Sequence, residues 1–221
     1  MKRFSYLCIL AASLILSPLV VAEVPDPDPG RFAKSIESFG VWDSKNSFPE
    51  DAILFVGSSS ILFWPTATAF PGKPIINRGF GGSEISDVIH FYDRVIRPYA
   101  PTRIFLYVGD NDIAHGKMAD QVFEDYKELA GMVQSDFPNT ELIFISIKPS
   151  KARWEKWPIM VEANRMVKEY AEQDPRLGYA DLATPLLDDT GQPRDVFVDD
   201  GLHLNEHGYY LWQQALAPHL D

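Results

Sequence analysis

Asp200 precedes His203 by three residues in the stretch Asp199-Asp200-Gly201-Leu202-His203-Leu204-Asn205, just ahead of a helix-like segment near the end of the chain. At that spacing a carboxylate can hold an imidazole in one orientation while both groups face the same cleft, which is what a general base requires. Such a base needs a nucleophile. Residues 53–60, Ile-Leu-Phe-Val-Gly-Ser-Ser-Ser, supply a candidate, because an apolar strand ends there abruptly in a glycine and three hydroxyls. A serine at a strand-to-helix turn lies beside the exposed N–H groups of a helix N-terminus, which favour the negative charge that develops during acyl transfer. The plainer reading is that Ser58, Ser59 and Ser60 only cap the short segment 61–64.

Two further polar turns lie between these halves. Asn77-Arg78-Gly79-Phe80-Gly81-Gly82-Ser83 places glycines where a backbone turns sharply or approaches a ligand, and Ser83 is positioned to cap a helix beginning near Glu84. Gly109-Asp110-Asn111-Asp112 reads either as an Asx turn or as a source of an uncharged side-chain N–H that can point at an oxyanion. Each turn taken singly has a purely structural explanation.

What positions them is an alternation of short apolar runs and longer amphipathic segments. Residues 52–56, 74–76, 103–108, 141–147 and 177–180 read as buried strands. Residues 31–39, 84–96, 121–137 and 158–172 carry apolar side chains at helical spacing. Strand and helix alternate, so the expected fold is a mostly parallel sheet with helices on both faces and ligands at the carboxyl ends of the strands. The serine turn follows the first strand, the Asn77–Ser83 glycines the second, and the Asn111 turn the third, while Asp200 and His203 precede the last helix. All four polar turns therefore belong to one edge.

In that order, Gly57-Ser58-Ser59-Ser60, Asn77-x-Gly79-x-x-Gly82, Gly109-x-Asn111-Asp112 and Asp200-x-x-His203 resemble the four sequence blocks of the SGNH (GDSL-like) hydrolases, over about residues 53–216. The resemblance implies a three-layer α/β/α, flavodoxin-like fold with about five parallel strands, and a serine esterase that needs no metal or organic cofactor. By matching positions it implies Ser59 as nucleophile, His203 as base and Asp200 as its partner. The oxyanion donors it implies are the backbone N–H groups of Ser59 and Gly82 and the side-chain amide of Asn111. Ser58 stands where the family name has aspartate; the catalytic acid of the family is the residue beside the histidine, so the triad is intact here. The expected partner is a small-molecule ester, drawn from acyl or acetyl esters of lipids such as lysophospholipids, or of carbohydrates.

Length and composition agree with one catalytic domain: 221 residues, 46% hydrophobic, suffice for one core. Residues 1–22 read as a secretory signal, with Lys2 and Arg3 ahead of an apolar run, Pro18 breaking it and Val20-Val21-Ala22 before Glu23. An uncleaved anchor is the competing reading, disfavoured because the run is short for a bilayer span. Cleavage takes two of the 20 basic residues and none of the 31 acidic ones, moving the formal charge from −11 to −13, which argues against a nucleic-acid partner. It also removes Cys8, the one cysteine, and with it thiolate or disulfide chemistry. The expected location is the bacterial periplasm or the exterior, without stable membrane insertion after cleavage. Residues 23–30 alternate prolines with acids and read as an extended leader, so the domain should span 31–221.

Two other chemistries fit some of these residues. Asp110, Asp112, Asp199, Asp200 and His203 are a possible ligand set for a hard cation in a metal-dependent phosphoesterase, and His115, after the Asn111 turn, is the histidine that rivals His203. A non-catalytic glycan- or lipid-binding module on the same scaffold is the third reading. Phe63, Trp64 and Phe70 near the serines lean toward a small or apolar acyl group, and Trp154 and Trp157 after the fourth strand are candidates for a substrate wall, although aromatics chiefly fill cores.

Overall fold

Side chains alternate across a strand, so a strand apolar at every position must be covered on both faces. The computed structural model, which describes residues 23–220, is built on this rule. Five strands, β1 (Ile53–Gly57), β2 (Ile75–Gly79), β3 (Arg103–Tyr107), β4 (Glu141–Ile145) and β5 (Leu177–Ala180), form one wholly parallel sheet in the order β2-β1-β3-β4-β5. Leu54, Val56, Ile104, Leu106, Leu142 and Phe144 point to one core, while Ile53, Phe55, Phe105, Tyr107, Ile143 and Ile145 point to the other.

Helices cover both cores. On the first face lie α1 (Ala33–Asp43), α4 (Ile85–His90), α5 (Tyr92–Val95), α7 (Ala119–Asp136) and α8 (Trp157–Ala171), which contribute Ile36, Val88, Val95, Leu129 and Val167. On the second lie the short α2 (Ser59–Leu62) and α3 (Thr66–Ala69) and the final α9 (Glu206–Leu216), whose Trp212 and Leu216 pack beside Trp64 and Phe70. The α/β/α layering and the five parallel strands expected from the sequence are present. Chain order reverses between β1 and β3, so their carboxyl ends open the crevice in which open α/β sheets bind ligands.

Three local readings change. The strand expected at 74–76 runs on through Asn77 and Arg78, polar residues that an edge strand accommodates because each has a fixed partner. Asn77 Nδ2 donates to the Ile61 carbonyl at 2.8 Å, and Arg78 pairs with Asp43 and donates to the Tyr99 hydroxyl at 2.6 Å. The helix expected over 84–96 breaks at Phe91, whose ψ of 15° re-aims the chain and whose ring packs edge-on against Phe80. Ser83 does not cap that helix; Glu84 is the N-cap, and the buried Ser83 hydroxyl has no hydrogen-bond partner among the described residues.

Residues 1–22, the expected signal, lie outside the described residues. The leader that follows has no helix or strand from Glu23 to Asp28, but its last two residues, Pro29 and Gly30, open a 3-10 turn capped by Asp28 instead of staying extended, and the segment is tied to the domain. Val24 exchanges two hydrogen bonds with the Gln121 side chain on α7, at 3.0 and 2.7 Å. Asp26 sits 2.6 Å from the ammonium of Lys117, which is wholly buried and also lies 2.7 Å from Asp125. Burial alone would raise the Asp26 carboxyl, but Lys117 outweighs it and holds the group below its ordinary range.

Candidate active site

The serine turn is shaped by Gly57, the last residue of β1. Its φ is +140°, and a Cβ there would stand 1.9 Å from the Tyr107 carbonyl oxygen of β3, so only glycine lets the two strands end side by side. The chain turns there into α2, with Ser58 as an N-cap whose side chain makes no capping bond. Ser59 is the first residue of α2, where a backbone N–H has no carbonyl to meet within the helix. The serines therefore do more than cap. Ser58 and Ser60 are buried, while Ser59 turns its hydroxyl into the crevice.

His203 meets it there. Its Nε2 lies 2.9 Å from Ser59 Oγ, across 144 residues of chain, and its Nδ1 lies 2.6 Å from Asp200 Oδ2. The other carboxylate oxygen accepts the backbone N–H groups of Leu202 and His203 at 2.8 and 2.9 Å, so the turn itself fixes the acid. Those bonds, the one from the imidazole foremost, draw the Asp200 carboxyl down to about 2. An anion on Nδ1 selects the tautomer with the proton there, which leaves Nε2 as the acceptor facing Ser59. The Phe63 ring stands edge-on to the imidazole at 5.2 Å and forms its outer wall.

The two remaining turns close the other side. Gly82 has a φ of +88°, and a Cβ on neighbouring Gly81 would stand 3.6 Å from Ser59 Cβ, so the glycine turn lies against the serine. Asn111, the second residue of α6 (Asp110–His115), donates from Nδ2 to the Ser83 carbonyl at 3.0 Å, which leaves its second amide hydrogen for another acceptor. Asp112 joins these turns by accepting the N–H groups of Gly109 and Ile85, both at 3.1 Å. Complete burial pushes its carboxyl up to about 7 against the pull of Lys117, 3.4 Å away. Ser59, His203 and Asp200 are thus joined by direct contacts, Gly82 belongs to the turn that lies against Ser59, and Asn111 is tied to that turn through the Ser83 carbonyl.

The candidate cation ligands do not gather. Asp110 is buried and held by Arg153 at 2.5 Å, Lys148 at 3.2 Å and the Tyr107 hydroxyl at 3.2 Å. Burial opposes its ionisation, but the two cations prevail and lower the carboxyl. Asp112 faces Lys117, and His115 Nδ1 faces Glu84 at 3.2 Å. Among the described residues, no group of three histidine, cysteine or acidic side chains is arranged to hold a metal ion.

Sequence reasoning passed over Lys148 and Arg153, which follow the apolar strand β4, and Lys117, which follows α6, because a cation in a loop reads as a solvated charge. The one usable signal was location, since Lys148 and Arg153 fall on the loop after β4, at the carboxyl edge of the sheet. Trp64 is 2% exposed and packs with Phe55, Phe70 and Trp212, yet its edge also lines a cleft of about 860 Å³ with Phe63, Val198, His203, Tyr209 and Tyr210. Trp154 and Trp157 stack on each other at 6.0 Å and do not line this cleft.

Comparison with known proteins follows the same outline. A Streptococcus pneumonia protein of 24% sequence identity superposes with a TM-score of 0.77, over 86% of this chain and 94% of that one. A GDSL-like lipase from Bacteroides thetaiotaomicron gives 17% and 0.69, over 87% and 97%; an acetylxylan esterase from Geobacillus stearothermophilus gives 14% and 0.64, over 79% and 95%. At these identities the likeness concerns the fold. No curated protein matches the sequence. The model of the GDSL-like lipase/acylhydrolase family, however, matches residues 59–211, from the serine at the head of α2 to the middle of α9. The chain is a member of the GDSL-like lipase/acylhydrolase family, an enzyme family of ester hydrolases.

Proposed function

We propose that the protein hydrolyses carboxylic esters through an acyl-enzyme on Ser59. The hydroxyl attacks the ester carbonyl while His203 Nε2 takes its proton, and the imidazolium returns that proton to the leaving alcohol. Water then attacks the acyl group with the same base. Asp200 keeps the imidazole in the accepting tautomer and offsets its positive charge. The oxyanion is met by the Ser59 and Gly82 N–H groups and by the free amide hydrogen of Asn111. The observation that carries this reading is the unbroken run of short contacts from Ser59 Oγ through His203 to Asp200.

The cleft beside His203 supports esters with a small or apolar group on one side. Its walls are Phe63, Trp64, Val198, Tyr209 and Tyr210, with Thr68, Asn205, Glu206 and Gln213 as polar points. Acetylated carbohydrates and lysophospholipids both present that mixture, and the shared fold with an acetylxylan esterase adds weight to the first. Initial rates on p-nitrophenyl acetate through decanoate, acetylated xylooligosaccharides and lysophospholipids separate them. Ser59→Ala should abolish turnover of every substrate the wild type accepts, and an active Ser59→Ala protein refutes the mechanism. The signal-like pattern of residues 1–22 supports a location in the bacterial periplasm or outside the cell, which N-terminal sequencing of the mature protein tests.

A further inference from the structure

We propose that Arg153 is a positioning residue of the hydrolytic site, acting through Asn111; the inference rests on Asn111 serving the oxyanion. Its guanidinium donates to Asn111 Oδ1 from both terminal nitrogens, at 3.2 and 3.1 Å. A side-chain amide has two faces of opposite polarity, and the faces decide whether it can hold an anion. Guanidinium nitrogens only donate, so Arg153 admits only the orientation with oxygen toward itself. Nδ2 is thereby turned to the Ser83 carbonyl and the crevice. The reverse orientation sets NH2 against guanidinium and carbonyl against carbonyl, and would aim the amide oxygen where the oxyanion forms.

The guanidinium is itself immobilised. Nη1 also donates to the Asp110 carboxylate at 2.5 Å and to the Asp110 carbonyl at 3.0 Å, and that carboxylate is fixed from below by Lys148 and Tyr107. One residue earlier in the same loop, the Ala152 N–H donates to the Gly201 carbonyl at 3.0 Å, beside Asp200. The loop after β4 thus touches both halves of the site, the oxyanion turn through a side chain and the Asp200–His203 turn through its backbone. Arg153 grips the oxygen end of Asn111, the end away from the oxyanion, so its effect is expected in the chemical step, in kcat more than in KM.

The test is a double-mutant cycle on p-nitrophenyl acetate hydrolysis. Arg153→Ala should lower kcat by about ten- to a hundredfold, the scale on which small misplacements act, with KM within about twofold. In an Asn111→Ala background the same change should alter kcat by less than about twofold, because there is no amide left to orient. Arg153→Lys keeps a cation beside Asp110 without the two-nitrogen grip; it carries the same comparison if the alanine variant does not fold, and should fall between the two. Equal losses in both backgrounds, or wild-type kcat in Arg153→Ala or in Asn111→Ala, overturn the proposal. Fluorophosphonate labelling of Ser59 in the wild type shows separately whether the serine mechanism stands.

Discussion

Replacing Asp200 by asparagine keeps the shape of the acid and removes its charge, and the geometry sets the cost. Asp200 Oδ1 accepts two backbone N–H groups at 2.8 and 2.9 Å, so the amide oxygen will occupy that position and Nδ2 will face His203 Nδ1. A donor there makes Nδ1 the acceptor, moves the imidazole proton to Nε2 and presents Ser59 with a nitrogen that cannot take its proton. To recover, the amide must flip and lose two backbone bonds, each of about 0.5–1.5 kcal/mol. Together, about 1–3 kcal/mol corresponds to a roughly 5–150-fold depletion of the productive form. Losing the anion that steadies the imidazolium weakens one charge-assisted hydrogen bond by about 1 kcal/mol, or roughly fivefold more. The Asp200 side chain is 46% exposed, and water relieves part of the flip. The expected fall in kcat is therefore about 10²-fold, smaller than the roughly 10⁴-fold of a protease triad whose amide is locked. Release of p-nitrophenolate under saturating substrate measures it, with the melting temperature as a check on folding. A loss under about fivefold, or one carried by KM alone, refutes the reasoning.

Asn111→Ala should cost about 10²–10³ in kcat, the usual loss for one oxyanion donor, read on the same assay. Gly57→Ala should deny the protein its fold, since the new Cβ meets the Tyr107 carbonyl at 1.9 Å; a thermal melt within a few degrees of wild type contradicts this. Asp200 should add no protonation step to kcat/KM as pH falls through the ordinary carboxylate range near 3.9: its carboxyl is lowered to about 2, so the ionised partner of His203 persists there. A step of apparent pKa about 4 that Asp200→Asn removes contradicts this. Phe63→Ala should raise KM for longer acyl esters several-fold and leave thermal stability nearly unchanged, because the ring is 55% exposed and stands in the cleft wall.

The candidate site was legible because its residues sit in four turns that recur in the order of a known family's sequence blocks, although glycine, serine and asparagine in any one turn have a structural explanation. The frame was legible because strands buried on both faces are continuously apolar, as β1 is and as β3 and β4 are after their first residues, Arg103 and Glu141. What escaped was set by partners far along the chain. Asn77 and Arg78 look unlike a strand until Ile61, Asp43 and Tyr99 are seen to satisfy them. Local periodicity carried the helix past Phe91, although the ring's packing on Phe80 ends it there. Lys148 and Lys117 are buried cations, and no local pattern announces the carboxylates that make their burial tolerable. The same holds for the leader, whose prolines forecast an extended chain but not its ties to Gln121 and Lys117.

The central claim is that one serine of three adjacent ones carries the acyl group. Mass spectrometry of the protein after reaction with a fluorophosphonate should find a single phosphonyl adduct, on Ser59. It should disappear in Ser59→Ala, persist in Ser58→Ala, and fall sharply in His203→Ala, which lacks the base 2.9 Å from the hydroxyl. An adduct on Ser58 or Ser60, or no adduct on folded protein that still hydrolyses esters, contradicts the account.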